Sequence, residues 1–162
     1  MKRLARSFAF VLLLSALCAG GGFDARAQVS AGTSFVSDTG RNVRLADYRG
    51  QVVFVNVWGS WCTPCLQEMQ SIRALQGSLG SSVAFVFVSS RPGDPQKDAA
   101  WLRQHGIVGT SVAMANGAKA PYVPSTYIFD RNGAVAQYRN SAVDWQLHAD
   151  FLRGLIQRHA SM

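Results

Sequence analysis

The hydrophobic pattern changes its period along the chain, and these changes predict an alternation of strands and helices. Gln51 to Trp58 is apolar at almost every position and rich in β-branched and aromatic residues, which is typical of a central parallel strand buried on both faces. Val83 to Ser89 repeats that pattern. Between them, apolar residues recur at helical spacing from Cys65 to Leu79, so the pattern predicts a strand, a helix and a second strand.

An N-terminal hairpin is predicted before this unit, because the segments 35–36 and 43–45 flank a turn signal at Ser37 to Gly40. After the unit, Asp94 as N-cap and Pro95 as first helical residue predict a helix to about His105. Residues 110–114 fit a short strand.

A second hairpin and a last helix are predicted in the C-terminal part. Ser125 to Phe129 and Ala134 to Tyr138 flank an Asn-Gly turn signal. The closing helix is expected from about Asp144 to His159, with an apolar face at every fourth position: Leu147, Phe151 and Leu155. This order of elements predicts an α/β fold, a mixed β-sheet flanked by helices on both faces.

Residues 1–27 have the features of a cleavable secretory signal. Basic residues precede an apolar run from Phe8 to Ala19, and Ala25-Arg26-Ala27 offers a cleavage site. The run is shorter than the roughly 20 residues that span a bilayer as a helix, so cleavage after Ala27 is favoured over a retained membrane anchor facing the periplasm. Leu17, a bulky residue before Cys18, disfavours a lipoprotein signal.

Composition favours one globular domain, residues 28–162, because 48% of the residues are hydrophobic and 15% are charged. Removing four basic residues and one acidic residue with the leader lowers the net charge from +7 to +4. The remaining arginines are dispersed, which disfavours a nucleic-acid partner.

Cleavage also removes Cys18 and leaves Cys62 and Cys65 as the only thiols in an exported, oxidising compartment. Their spacing alone fits either a redox-active disulfide or a pair of soft-metal ligands. A bridge across so short a loop would constrain the unfolded chain little, which favours redox chemistry over a structural role. A closed zinc site needs two further ligands, and the histidines do not form a spaced pair. No metal and no cofactor beyond the redox-active disulfide is expected.

The segment Val55 to Cys65, together with Val123-Pro124-Ser125-Thr126, resembles the TlpA/ResA type of thioredoxin-like proteins, which are exported thiol-disulfide oxidoreductases. Asn42 to Gln51 is similar to the lead-in of that family, and the likeness covers about residues 33–158. The resemblance implies a thioredoxin fold with an N-terminal β-hairpin extension and a central helical insertion. It also implies a dithiol at the start of the first long helix and a cis-proline loop that faces it.

The resemblance assigns unequal roles to the two cysteines. Pro64 is tolerated only in the first turn of a helix, which places Cys62 at the helix N-terminus. The free N–H groups there favour thiolate, so Cys62 is the expected nucleophile and Cys65 the resolving thiol. Thr63 and Pro64 are expected to help set the reduction potential.

Five further residues are assigned a place near the site by the same resemblance. Glu68 follows Cys65 by one helical turn and is a candidate for moving its proton; the alternative is a solvated glutamate on the helix surface. Asn56 replaces a buried aspartate of thioredoxins and cannot titrate. Val123-Pro124 is the candidate cis peptide, which would offer backbone hydrogen bonds to partner chains, and Trp61 a partly exposed surface beside Cys62.

The sequence therefore predicts an exported, monomeric oxidoreductase of the periplasm. The expected activity is reduction of cysteine pairs in client proteins such as cytochrome c precursors or copper-site assembly proteins, with an upstream membrane thiol reductant. A disulfide-forming oxidant with the same dithiol, or a copper(I)-carrying chaperone, are the alternatives. A peroxidase is disfavoured because the peroxiredoxin pattern Pro-x-x-x-Thr-x-x-Cys is absent.

Overall fold

The computed structural model describes residues 29–90, 94–115 and 122–158. The predicted signal peptide, its cleavage site and Cys18 lie outside the described residues, as does His159. Within the described part of the chain, no helix is long and apolar enough to cross a membrane.

A seven-stranded mixed sheet is the centre of the fold. Its strands are β1 (Ser34–Ser37), β2 (Asn42–Arg44), β3 (Val52–Trp58), β4 (Val83–Ser89), β5 (Thr110–Met114), β6 (Ser125–Phe129) and β7 (Val135–Arg139). They are arranged in the order β2-β1-β5-β4-β3-β6-β7. β3, β4 and β5 are parallel neighbours, and β1, β2, β6 and β7 join by antiparallel pairing. The two buried strands of the sequence pattern are therefore the central pair.

The helices are α1 (Thr63–Leu79), α2 (Pro95–Gln104) and α3 (Ala149–Gln157), with 3-10 helices at Leu45–Tyr48, Gly80–Ser82 and Trp145–His148. Both predicted hairpins, the short strand β5 and the start of α2 are confirmed. The helix α1 continues to Leu79, where the helical spacing of apolar residues ends.

The predicted last helix is divided into a 3-10 turn and α3, which shifts its buried face. Leu147 was expected on that face but is 81% exposed, whereas Trp145 and Leu152 are fully buried. Every fourth residue was expected on the buried face, but a 3-10 turn rotates successive side chains by about 120° rather than 100°, so Leu147 lies off that face.

Two apolar clusters lie on opposite faces of the sheet. One combines alternate residues of β3 and β4 with the buried sides of α1, α2 and α3. The other contains the intervening strand residues and is covered by Val29 and by the 3-10 helix at Leu45–Tyr48. The three α-helices thus pack on one face, whereas helices were predicted on both; the opposite face is covered by Val29 and the 3-10 helix at Leu45–Tyr48. In the sheet, β5 lies between β4 and β1, so the predicted N-terminal β-hairpin extension, β1 and β2, forms one edge of the sheet.

Candidate active site

The two cysteines lie at the start of α1, which follows β3 in the chain. Cys62 is the N-cap of α1, with extended backbone, and its Sγ accepts a hydrogen bond from the backbone N–H of Cys65 at 3.3 Å. Pro64 lies in the first turn, where its missing N–H leaves no bond unmade. Cys62 and Cys65 form a disulfide with a Cα–Cα distance of 5.2 Å. The prediction that the helix begins at Cys62 is confirmed.

The two sulfur positions differ in access. Cys62 is 5% exposed and Cys65 is not exposed at all. Free N–H groups of the first helical turn surround Cys62, and their partial positive charge favours a thiolate there once the disulfide is reduced. Cys62 is therefore the more accessible of the two sulfurs and the one that the helix N-terminus would stabilise as a thiolate.

Three hydrogen bonds fix the loop between β3 and Cys62. The Cys62 N–H donates to the Gly59 carbonyl at 2.9 Å, and the Ser60 N–H donates to Oδ1 of Asp98 at 2.9 Å. The indole Nε1 of Trp61 donates to the Ser90 carbonyl at 3.3 Å. The loop is therefore anchored to α2 and to the end of β4 rather than held by the disulfide alone.

Trp61 lies over the loop and remains 47% exposed, which agrees with the expected surface beside Cys62. The indole covers Gly59 so closely that a Cβ added at Gly59 would lie 2.8 Å from its Cε2 atom. Glycine at this position is thus required by the position of the Trp61 ring. Trp58, in contrast, is fully buried.

Glu68 lies on the inward side of α1 and is only 3% exposed. Its carboxylate accepts hydrogen bonds from Asn56 Nδ2 at 2.7 Å, from the Val143 N–H at 3.2 Å and from Trp145 Nε1 at 3.3 Å. Burial raises the pKa of Glu68 above its ordinary range, and these three hydrogen bonds oppose part of that rise. The alternative of a solvated surface glutamate is wrong.

The segment that carries Val143 and Trp145 is held against α1 by Ser71. The Ser71 hydroxyl accepts from the Trp145 N–H at 3.1 Å and lies 3.2 Å from the Val143 carbonyl. The Trp145 ring meets Phe54 of β3 edge-on, with centroids 4.8 Å apart. These contacts fix the two donors that face Glu68.

An open groove of about 550 Å³ runs between α1 and the segment 142–146, and Glu68 lies in its wall. The described residues that line it are Gln67, Glu68, Gln70, Ser71, Ala142, Val143, Asp144 and Gln146. Trp61, Cys62 and Pro124 are not among them. Glu68 therefore meets solvent at a surface separate from the one that presents Cys62.

The Val123-Pro124 peptide bond is cis, as predicted. Val123 packs against the apolar cluster that contains Cys62 and Cys65, and Tyr122 beside it is 60% exposed. Thr63 and Pro64 are exposed, so neither side chain is held by the core. The exposed surface around Cys62 thus includes Trp61 and the motif residues.

Sequence reasoning missed Asp98, Val143 and the polar role of Trp145. Asp98 is fully buried, and its Oδ2 has no hydrogen-bond partner among the described residues. It lies within an amphipathic helix pattern, where an aspartate four residues after the N-cap gives no sign of burial. No group of three or more His, Cys, Asp or Glu side chains placed to hold a metal ion occurs in residues 29–90, 94–115 and 122–158.

A family model described as "AhpC/TSA family" matches residues 28–140. The chain belongs to the AhpC/TSA family. It is also 29% identical over 104 residues to "Thiol-disulfide oxidoreductase ResA" of Geobacillus kaustophilus, covering 60% of this chain and 59% of that protein. It is 30% identical over 104 residues to "Thioredoxin-like protein YneN" of Bacillus subtilis, covering 60% and 61%. The alignments thus span about three fifths of these relatives, and they confirm the resemblance to the ResA type.

The fold is shared with solved structures of thiol-disulfide oxidoreductases. A secreted thiol-disulfide isomerase from Corynebacterium glutamicum superimposes with a TM-score of 0.65 at 19% identity, covering 78% of this chain and 84% of that one. At this identity the likeness is one of fold. The predicted thioredoxin-like fold is confirmed.

Proposed function

We propose that the protein is an exported thiol-disulfide oxidoreductase that reduces cysteine pairs in client proteins. The observation that carries the proposal is the Cys62–Cys65 disulfide at the N-terminus of α1, with Cys62 as N-cap and a buried Glu68 one turn beyond Cys65. A structural disulfide needs neither the helix N-terminus nor the buried acid. Relatives named as thiol-disulfide oxidoreductases support the same chemistry.

The cycle begins with both cysteines reduced. The Cys62 thiolate attacks one sulfur of the client disulfide, forming a mixed disulfide and releasing one client thiolate, which takes a proton. The Cys65 thiolate then attacks Sγ of Cys62, closing the Cys62–Cys65 disulfide and releasing the second client thiolate. Two electrons and two protons have passed to the client. An upstream membrane thiol reductant then returns two electrons to the disulfide.

Glu68 is proposed to accept the proton that Cys65 must lose before it attacks. A carboxylate whose pKa lies above its ordinary range is a better match to a thiol than an exposed glutamate is. The groove beside it offers an exchange route with solvent that a client docked on Trp61 and Cys62 would leave open.

Client recognition is proposed at the surface formed by Trp61, Tyr122 and the Val123 backbone. Trp61 and Tyr122 offer exposed aromatic area, and an extended client segment would pair with the backbone before the cis proline. Suitable clients are extended cysteine pairs, as in cytochrome c precursors or copper-site assembly proteins. Thr63 and Pro64 would adjust the reduction potential from the exposed first turn of α1.

Trapping of mixed disulfides tests the proposal directly. Cys65→Ser should accumulate covalent complexes with exported cysteine-pair proteins, because Cys62 attacks and nothing resolves the adduct. The matched variant Cys62→Ser should trap few or none, since Cys65 is not exposed. Equal trapping by both variants would contradict the assignment of Cys62 as nucleophile.

Two measurements separate reduction from the alternative functions. Equilibration with a glutathione redox series should give a reducing potential, and a strongly oxidising value would instead identify a disulfide-forming oxidant. Tight copper(I) retention by the reduced protein, without disulfide reductase activity, would identify a chaperone.

A further inference from the structure

Asn56 connects Glu68 to the strand that follows the cis proline. Its Nδ2 donates to Oε1 of Glu68 at 2.7 Å and to Oγ1 of Thr126 at 2.9 Å, so both amide hydrogens are used. Its Oδ1 is buried and has no hydrogen-bond partner among the described residues. Buried carbonyl groups nearly always have a donor, so an amide that leaves this oxygen unpaired calls for an explanation.

In the present arrangement all three partners of Glu68 donate hydrogen bonds, which matches the carboxylate but gives a protonated carboxyl group no acceptor. The Val143 N–H and the Trp145 indole N–H can donate but can never accept. A protonated carboxyl group, however, needs one acceptor for its own hydrogen. Of the three partners, only Asn56 has an acceptor to offer, on the end of its amide that is now unpaired.

Rotation of the Asn56 amide by half a turn would supply that acceptor. Oδ1 would then lie between Glu68 and Thr126, in the position that Nδ2 holds now. It would accept from the Glu68 carboxyl O–H and from the Thr126 hydroxyl, which changes from acceptor to donor by rotating its hydrogen. Each orientation makes two contacts and leaves one end of the amide without a partner among the described residues: Oδ1 beside the carboxylate, and Nδ2 beside the protonated acid. The rotation therefore gives the acid hydrogen an acceptor while the amide keeps two contacts.

We infer that Asn56 is a positioning residue whose amide reverses when Glu68 gains or loses its proton, so that the buried carboxyl group is hydrogen-bonded in both states. An aspartate at this position would accept from the acid but repel the carboxylate, and an apolar residue would do neither. The inference also deepens the proposed function, because its consequence for Cys65 rests on the acid-base role of Glu68.

Among the described residues, few other titratable groups lie near this site. Cys65 lies one turn away on α1, and Asp144 is an exposed residue of the groove. His148 lies beside Trp145, with the ring centroids 5.2 Å apart and the ring planes tilted by 50°. The Asn56 amide contacts Glu68 and Thr126, and the threonine hydroxyl does not titrate in this range. Of these two contacts, only the one with Glu68 therefore changes its protonation state.

The test is an NMR titration of the oxidised, isotopically labelled protein. We expect the side-chain Nδ2 signal of Asn56 and the carboxyl carbon of Glu68 to shift with one shared midpoint. Nuclear Overhauser contacts from the Asn56 amide hydrogens to the Glu68 side chain should be present at high pH and lost at low pH. Identical contacts at both ends of the titration would overturn the inference.

Two variants sharpen the result. In Glu68→Gln the Asn56 signals should no longer titrate over that range; a persisting transition would place its cause elsewhere and overturn the inference. In Asn56→Asp two carboxyl groups would share one proton, so the midpoint at Glu68 should rise by at least about one pH unit, or tenfold in proton affinity. An unchanged midpoint would count against the inference. The wild-type titration stands if this variant does not fold.

This titration tests the amide reversal separately from the proposed function, because the oxidised protein carries out no thiol-disulfide exchange during the measurement. If Glu68→Gln left the pH profile of Cys65 alkylation unchanged, the acid-base role of Glu68 would fail. Amide reversal could still be observed in that case.

Discussion

Oε2 of Glu68 lies 3.3 Å from the indole nitrogen of Trp145, although 77 positions separate the two residues in the chain. The contact joins the helix that carries the disulfide to the turn that precedes the last helix. Glu68 is buried where these segments meet, and this burial raises its pKa, whereas the hydrogen bond from Trp145 opposes part of the rise. The expected pH behaviour of the fold follows from this burial.

Glu68 should make the stability of the oxidised protein depend on pH. The folded protein holds the Glu68 proton to a higher pH than the unfolded chain, whose pKa is near 4.5. The stabilisation from this proton is therefore complete below that value and is lost as the pH rises through the folded pKa. The slope contributed by one such group is at most roughly 1.4 kcal/mol per pH unit. Glu68→Gln should remove this contribution in urea unfolding measured over a pH series.

Asp150→Asn provides the matched control for this measurement. The Asp150 side chain is 95% exposed, so its loss should leave the slope above pH 5 unchanged. Equal slopes in the wild type and in Glu68→Gln would contradict a raised pKa for Glu68.

Asp98 should position the loop before Cys62. Asp98→Ala removes the acceptor of the Ser60 N–H and should lower the free energy of unfolding by roughly 1–3 kcal/mol. Because the loop is released, the alkylation rate of reduced Cys62 should also change. Asp98→Asn keeps an acceptor oxygen for the Ser60 N–H, so its stability should stay within about 1 kcal/mol of the wild type.

Asp94→Ala separates this loop effect from damage to the helix. Asp94 caps α2 through the Gln96 and Lys97 N–H groups, and its loss should cost about 1 kcal/mol without altering Cys62. If Asp94→Ala and Asp98→Ala changed the alkylation rate of Cys62 equally, the cause would be damage to α2 and not loss of the Ser60 contact.

Trp61 should matter for protein clients but not for small disulfides. Trp61→Ala should lower kcat/KM for a client by about tenfold, equivalent to roughly 1.4 kcal/mol, because a half-exposed indole beside Cys62 is the kind of residue that anchors an interface. Reduction of a small aromatic disulfide should change by less than about twofold. Gly59→Ala should act in the same direction, since its Cβ would displace the Trp61 ring.

Leu147→Ala is the control for a general loss of exposed apolar area, because Leu147 is 81% exposed and lies on the last 3-10 turn. It should leave both activities unchanged. If Trp61→Ala lowered the reduction of the small disulfide as much as that of the client, the substitution would have damaged Cys62 itself rather than client binding.

Local patterns were sufficient for most elements of the fold. The uninterrupted apolar runs at β3 and β4, the Asn-Gly turn before β7 and the Asp-Pro start of α2 each depend on neighbouring residues. Proline in the first turn likewise fixed Cys62 at the helix start. The last helix was predicted less well, because a 3-10 turn and an α-helix have similar residue preferences and differ in which side chains they bury.

The sequence by itself determined the dithiol, its place at a helix N-terminus, the residues of the cis-proline loop and the thioredoxin-like class, because all of these depend on short-range chemistry or on a contiguous motif. Only the tertiary structure decided that Glu68 is buried, that Asn56 and Trp145 donate to it, and that Asp98 holds the loop before Cys62. Burial and hydrogen-bond partners come from segments far apart in the chain. Their effect on a carboxyl group therefore exists only once the sheet and helices have brought them together.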